Sequence, residues 1–239
     1  MKNQYFADSR DLFKYDLAIS FMLDYAIAKN FTFVPMLTPN TGNNHGSMTV
    51  YKAGRPGTHR TKLVEFLSEC LRQDRRNITE LERFFKQSLY REGVSMKIYN
   101  SFTYITKGYR KDYFDRLSHT WLKDSVIMVD PDTGLETASS NKNKEAYVTY
   151  GEVKNLYDKM SKKSVMLIFQ FIPRVERLPY LSGLCRKLKS RLGKGCGVDF
   201  ISNNSVAFFV ISKSRSYKRI VDSALRDYSE RYNLIFGRN

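Results

Sequence analysis

Cysteine is nearly missing from this 239-residue chain. Three are present, Cys70, Cys185 and Cys196, odd in number and widely spaced, which excludes a disulfide framework and offers no zinc-ligand pair. Histidine is as sparse: His45, His59 and His119 share no metal-binding spacing, so no metal site is expected. No apolar run approaches the roughly 18–20 residues of a membrane span. The opening residues, MKNQYFADSRDLFKYD, carry charges every few positions and lack an apolar h-region, so they do not read as a secretory signal and the expected location is the cytoplasm. No repeat, low-complexity tract or Pro/Gly/Ser linker divides the sequence, and a single domain over 1–239 is expected. Acidic residues are the last shortage: 24 Asp and Glu face 40 Lys and Arg, a formal charge of +16. That balance is typical of chains that meet a polyanion, nucleic acid first. An anionic membrane surface is the weaker candidate, because no basic amphipathic segment stands out.

What is abundant is apolar sequence. A hydrophobic content of 42% is enough to bury a continuous core. Helical spacing predicts helices over 10–29, 61–70, 78–90, 109–117, 150–160, 179–192 and 217–232, the first with Asp8 or Ser9 as its N-cap. Short apolar runs predict strands over 31–37, 96–105, 125–129, 164–171, 198–201 and 206–211. Strands without alternation, separated by helices, indicate an α/β fold of three layers, a mostly parallel sheet covered on both faces. The last two strands, joined by a short turn at Asn203-Asn204, should be antiparallel, giving an antiparallel strand at one edge. Residues 52–95 read as a helical insertion.

In such sheets ligands bind at the carboxyl ends of the strands, so the loops after Leu37, Val129 and Phe171 should converge on one crevice. The cleanest strand ends in Asp130-Pro131-Asp132-Thr133-Gly134-Leu135-Glu136. Asp130 and Asp132 stand two apart on a turn stiffened by proline, and Gly134 lets Glu136 return toward them. Three carboxylates there suit acid/base work or a divalent ion, although Asp-Pro-Asp-Thr-Gly is also an ordinary turn whose acids cap the next segment. A second charged group, Asp8, Arg10, Asp11, Lys14 and Asp16, places Asp8 and Lys14 with the catalytic candidates, against a plain salt-bridge ladder along a helix. The loop over 38–46, with Asn40, Thr41 and Asn43, can hold a phosphate or sugar on backbone N–H groups, or simply turn. Cations beside aromatic rings, Lys52, Arg55 and Arg60 near Tyr51 and Lys107 and Arg110 near Tyr104, together with Arg174, suit phosphates and stacked or extruded bases.

The order of these pieces resembles the Rossmann-like methyltransferases, particularly the ribosomal RNA adenine-N6 methyltransferases. Asp11-Leu12-Phe13-Lys14 stands where that family has an Asp-x-x-Lys helix, and Asp130-Pro131-Asp132-Thr133 where it has Asp-Pro-Pro-Tyr. The resemblance implies a Rossmann-like sheet and a flipped-base pocket near Asp130. The chain departs from the family at the cofactor loop, replaced by Thr38-Pro39-Asn40-Thr41-Gly42, and no acid follows the strand at 96–100 to grip a ribose. On those departures no cofactor is expected. The chain also resembles a group of uncharacterised bacterial and prophage proteins with Tyr-Phe-x-Asp near the start and Asp-Pro-Asp-x-Gly-Leu-Glu in the middle. That likeness implies phage defence by excision of modified bases.

The expectation is therefore a nucleic-acid-acting enzyme, with DNA favoured over RNA: a glycosylase that flips out a base and hydrolyses its N-glycosidic bond without a cofactor. Asp130 or Asp132 would stabilise the oxocarbenium-like sugar or activate water, and Glu136 and Asn40 would orient water or base. The alternatives are an S-adenosylmethionine-dependent methyltransferase and a metal-dependent nuclease.

Overall fold

The apolar runs become strands because each is buried on both sides. The computed structural model, which describes residues 1–41, 46, 48–137 and 144–238, places seven of them in one sheet. In chain order the elements are α1 (Ser9–Leu23), β1 (Asn30–Pro35), α2 (Thr61–Arg72), α3 (Glu80–Phe84), β2 (Ser95–Ile98), α4 (Arg110–Asp115), α5 (His119–Leu122) and β3 (Ser125–Asp130). They continue with β4 (Gly134–Leu135), β5 (Tyr147–Val148), α6 (Tyr150–Lys159), β6 (Val165–Phe171), α7 (Arg177–Leu192), β7 (Gly197–Ser202), β8 (Val206–Ser212), α8 (Arg215–Arg231) and β9 (Ile235–Gly237). Across the sheet the order is β2-β1-β3-β6-β8-β7-β9. The first four strands are parallel, and β8, β7 and β9 join through antiparallel pairings. β4 and β5 form a separate parallel pair.

Alternate strand residues face opposite layers. Phe31, Phe33, Val126, Met128 and Leu167 pack with α1, α2, α3 and α8. Val34, Ile127, Val129 and Ile168 pack with α4, α5, α6 and α7. Phe13 of α1 meets Phe208 of β8 edge-on at 4.9 Å and lies parallel to Tyr228 of α8, tying the first helix to the last. Such ring pairs contribute about 0.5–1.5 kcal/mol each beyond the area they bury.

Four expectations need adjusting. The antiparallel strand β8 is not the edge; it lies inside the sheet between β6 and β7. The chain turns back after α8, at Asn233 with φ +49, and β9 covers the free side of β7. Gly237 makes that approach possible, since a Cβ there would sit 2.1 Å from the Phe200 ring. Second, the first helix ends at Leu23 rather than running to 29, because Asp24 and Tyr25 both close on the Ser20 carbonyl oxygen and Ala26 turns with φ +49. Third, the strand expected over 96–105 stops at Ile98: Asn100 adopts φ +48, and Ile105 returns to donate its N–H to the Leu37 carbonyl at 2.7 Å. Fourth, the helix expected over 78–90 loses α-geometry after Phe84 and continues as a π turn, Phe85–Leu89, then a 3-10 turn, Tyr90–Glu92. Residues between β1 and β2 thus carry α2 and α3 in one long crossover on the α1 side of the sheet.

Candidate active site at the ends of β1 and β3

The chain leaves β1 toward β2 on one side, then returns to lay β3 on the other, so the direction of winding reverses between these neighbours. At such a reversal the crossovers diverge and leave a crevice at the carboxyl ends. Asp130 is the last residue of β3, paired in register with Pro35 of β1. α1 runs over this end and brings Lys14 to it. The Lys14 Nζ donates to Asp130 Oδ2 at 2.6 Å and to Asp11 Oδ1 at 2.7 Å. Asp11 Oδ2 accepts from the Tyr15 hydroxyl at 2.9 Å and the Ala7 N–H at 3.2 Å. Asp8 caps α1, its Oδ1 accepting the Arg10 and Asp11 N–H groups at 2.9 Å each.

This cluster is dry. Asp8, Asp11, Lys14 and Asp130 are all buried. Burial pushes the carboxyls of Asp8, Asp11 and Asp130 up; the Lys14 ammonium opposes that shift at Asp11 and Asp130, and at Asp8 the Asp11 N–H opposes it first. Burial also works against the Lys14 ammonium, but Asp11 and Asp130 outweigh it and raise its pKa. Lys14 thus bridges Asp11 and Asp130, and Asp130 is held in place by it.

Asp132 is different. It is buried only in part, its Oδ2 accepts from Lys2 Nζ, and its buried Oδ1, with no hydrogen-bond partner among the described residues, forms a longer ion pair with the Met1 ammonium at 3.9 Å. Lys2 Nζ also donates to Thr38 Oγ1 at 3.0 Å, and the Thr38 N–H donates to the Met1 carbonyl at 2.8 Å. Farther along, Asn40 Oδ1 accepts the Gln4 N–H at 3.2 Å, and the Thr41 N–H donates to Gln4 Oε1 at 2.6 Å. The first residues thus lie across the end of β1. They reduce the crevice at Asp130 and Asp132, also lined by Tyr5, Arg10 and Phe171, to about 40 Å³. Small-molecule sites span about 300–1,000 Å³. The opening at Asp132 is smaller than such sites, and Tyr99 and Asn100, the residues just past β2, carry no carboxylate.

Glu136 goes elsewhere. Its Oε1 accepts the Tyr150 N–H at 2.7 Å, at the start of α6, and it does not line the crevice. The turn that takes it there is fixed by Gly134, φ +142, where a Cβ would fall 2.4 Å from Gln170 Oε1. That oxygen accepts the Leu135 N–H at 2.9 Å, and the Phe171 N–H donates to Thr133. The motif is split: Asp130 to Asp132 serve the crevice, Gly134 to Glu136 anchor α6.

The expected phosphate contacts divide similarly. Arg60 bonds Asp16 at 2.8 Å and Asp24 at 3.1 Å, and Arg110 grips both oxygens of Glu152 at 2.5 and 2.6 Å, so each holds helices together. Lys52, Arg55, Lys107 and Arg174 are exposed. Asn43 lies outside the described residues. Lys2, Thr38 and Arg10, which meet at or beside Asp132, were not among the named site residues: Lys2 carries no local pattern, Thr38 stood only as the first residue of the 38–46 loop, and Arg10 showed only as one charge of a helical ladder. Among the described residues no group of His, Cys, Asp and Glu is arranged to hold a metal ion, and no helix is long and apolar enough to cross a membrane. No protein-family model matches the chain, and no curated protein is similar to it.

Proposed function

We propose that this chain is a nucleic-acid-acting hydrolase of Rossmann-like fold, a DNA glycosylase that works without a cofactor and uses Asp132 as its working carboxylate. The observation that supports the reading best is the contrast between neighbouring acids. Asp130 is locked to Lys14, whereas Asp132, two residues on, lines the crevice with a buried oxygen that accepts no hydrogen bond among the described residues and faces the Met1 ammonium at 3.9 Å. In N-glycosidic hydrolysis the bond between C1′ and the base nitrogen breaks with its electrons going to the base, and positive charge develops on the sugar. A carboxylate at that point stabilises the oxocarbenium-like state and accepts a proton from the attacking water, whose oxygen forms the new bond to C1′. The proton that Asp132 takes from water passes to the departing base, which leaves neutral and returns Asp132 to its carboxylate form. Lys14 keeps Asp130 and Asp11 from repelling Asp132, so the local charge is set before substrate arrives. Lys2 must release Asp132 for a sugar to approach. The excess of 16 positive charges would hold the DNA, and a modified base in invading DNA is the substrate class that the motif resemblance suggests.

Incubating the purified chain with DNAs of defined modified and unmodified bases, with and without EDTA, separates the readings. A glycosylase leaves free base and alkali-labile abasic sites and ignores the chelator. Strand cleavage that stops in EDTA would replace it with a metal-dependent nuclease. The methyltransferase reading, favoured by the reversal of strand order between β1 and β3, requires saturable heat on titration with S-adenosylmethionine, and none is expected.

A further inference from the structure

We propose that the cleft beside the start of α1 is a nucleotide site, taking one base of a nucleic acid against its apolar floor with the phosphate on Arg10, Lys52 and Arg55. This rests on the reading that the chain acts on nucleic acid, and it says where the strand is held. The cleft measures about 360 Å³, against about 40 Å³ at Asp132. Only the larger reaches the size of small-molecule sites, about 300 Å³ and above.

The cleft is a built feature. Its floor is Leu12 and Phe13 of α1 with Tyr51, whose hydroxyl donates to the Ala7 carbonyl at 2.6 Å. The wall formed by residues 48–58 is fastened at both ends. The Ser9 N–H donates to the Met48 carbonyl at 2.8 Å, and Gly57, φ +90, presses on α1 so closely that a Cβ would lie 2.6 Å from Leu12 Cγ. The turn between β7 and β8 closes the other side. Among the described residues three cations and no acid line the space, so its charge suits an anion. Val50, 71% exposed, stands at the mouth and offers an apolar edge to a planar ring. Arg10 is the link to the carboxylates: it lines the crevice as well as the cleft, its guanidinium lies 5.3 Å from the Phe171 ring, and its buried Nε has no partner among the described residues. A nucleotide on Arg10 borders Asp132.

Calorimetric titration of the full chain with dAMP, dCMP, dGMP and dTMP, their nucleosides and inorganic phosphate tests this. At least one mononucleotide should bind at least tenfold more tightly than its nucleoside or phosphate alone. Val50→Trp, which fills the mouth, and Arg55→Ala should each weaken it at least tenfold, both being changes at exposed positions, while Thr149→Ala, at the cap of α6, leaves it unchanged. The proposal is overturned if no mononucleotide saturates the wild type, if phosphate alone accounts for the affinity, or if Val50→Trp binds normally. Base release that survives Val50→Trp would remove the cleft and spare the hydrolase; nucleotide binding lost in Val50→Trp, in a protein that releases no base, would do the reverse.

Discussion

Lys14 is the residue on which the site depends. Its ammonium separates two buried carboxylates, and removing it leaves Asp11 and Asp130 facing each other without a counter-charge. Lys14→Met should lower stability by about 3–5 kcal/mol at neutral pH, the usual cost of breaking a buried pair from one side. The sign of its pH dependence follows from the shifts. Carboxyls raised in the folded state bind more protons than the unfolded chain between the ordinary value near 4 and their raised one, so stability increases as pH falls through that window. The Lys14→Met deficit should therefore shrink on acidification, and urea melts at pH 7 and pH 5 measure it. A deficit that grows at pH 5 would contradict the charge assignment. The contribution of Lys14 itself is fully present below about pH 10.4 and is lost only as pH rises through its raised folded value. At this scale the sequence was half legible. Lys14 and Asp130 were both catalytic candidates, and the three-residue spacing of Asp11 and Lys14 put that pair on one helix face. Lys2 on Asp132 was not legible, because a side chain crossing from residue 2 to residue 132 has no local pattern.

The element that decides the shape of the site is the turn from β3 to β4. Gly134→Ala must both strain a φ of +142 and displace Gln170, and it should cost about 1–3 kcal/mol and loosen the start of α6 with it. Thermal melting with far-ultraviolet circular dichroism checks this; a neutral effect would mean that the turn is not tied to Gln170. α6 offers an independent control. Thr149 accepts the Glu152 N–H at 3.2 Å and Glu152 bonds back to the Thr149 N–H at 2.8 Å, a reciprocal cap that Thr149→Ala should weaken by about 1 kcal/mol without touching Asp132. Most strands were legible because burial on both faces leaves an unbroken apolar run. β9 was not, since Ile235, Phe236 and Gly237 are three half-exposed residues, too short a run to register as a strand after the helix expected to end at 232. Glu136 was misplaced for a similar reason: its carboxylate suits both a crevice and a helix cap, and only the Gly134–Gln170 contact chooses the cap.

At the scale of the whole molecule, the parallel half of the sheet carries the carboxylates and the surface carries the excess of positive charge. If that charge meets phosphates, binding to single-stranded DNA must weaken with salt. Four exposed cations in contact, Lys52, Arg55, Lys107 and Arg174, would give a slope of log K against log salt near about −3, and removing one by Lys107→Ala should reduce it by about 0.7. Affinity that does not change between low and high salt would remove nucleic acid as the partner. The class of fold was legible from the alternation of apolar strands and helices. What no pattern disclosed was that residues 1–5 lie across the end of β1, since segments far apart in sequence meet there by packing.

The most direct test compares wild type with Asp132→Asn under single-turnover conditions on DNA carrying modified bases, in the presence of EDTA, with free base quantified. The wild type should release base and leave abasic sites, and the variant should be slower by about 10²–10⁴-fold. No base from any DNA, or equal rates from the two proteins, would contradict the assignment of Asp132.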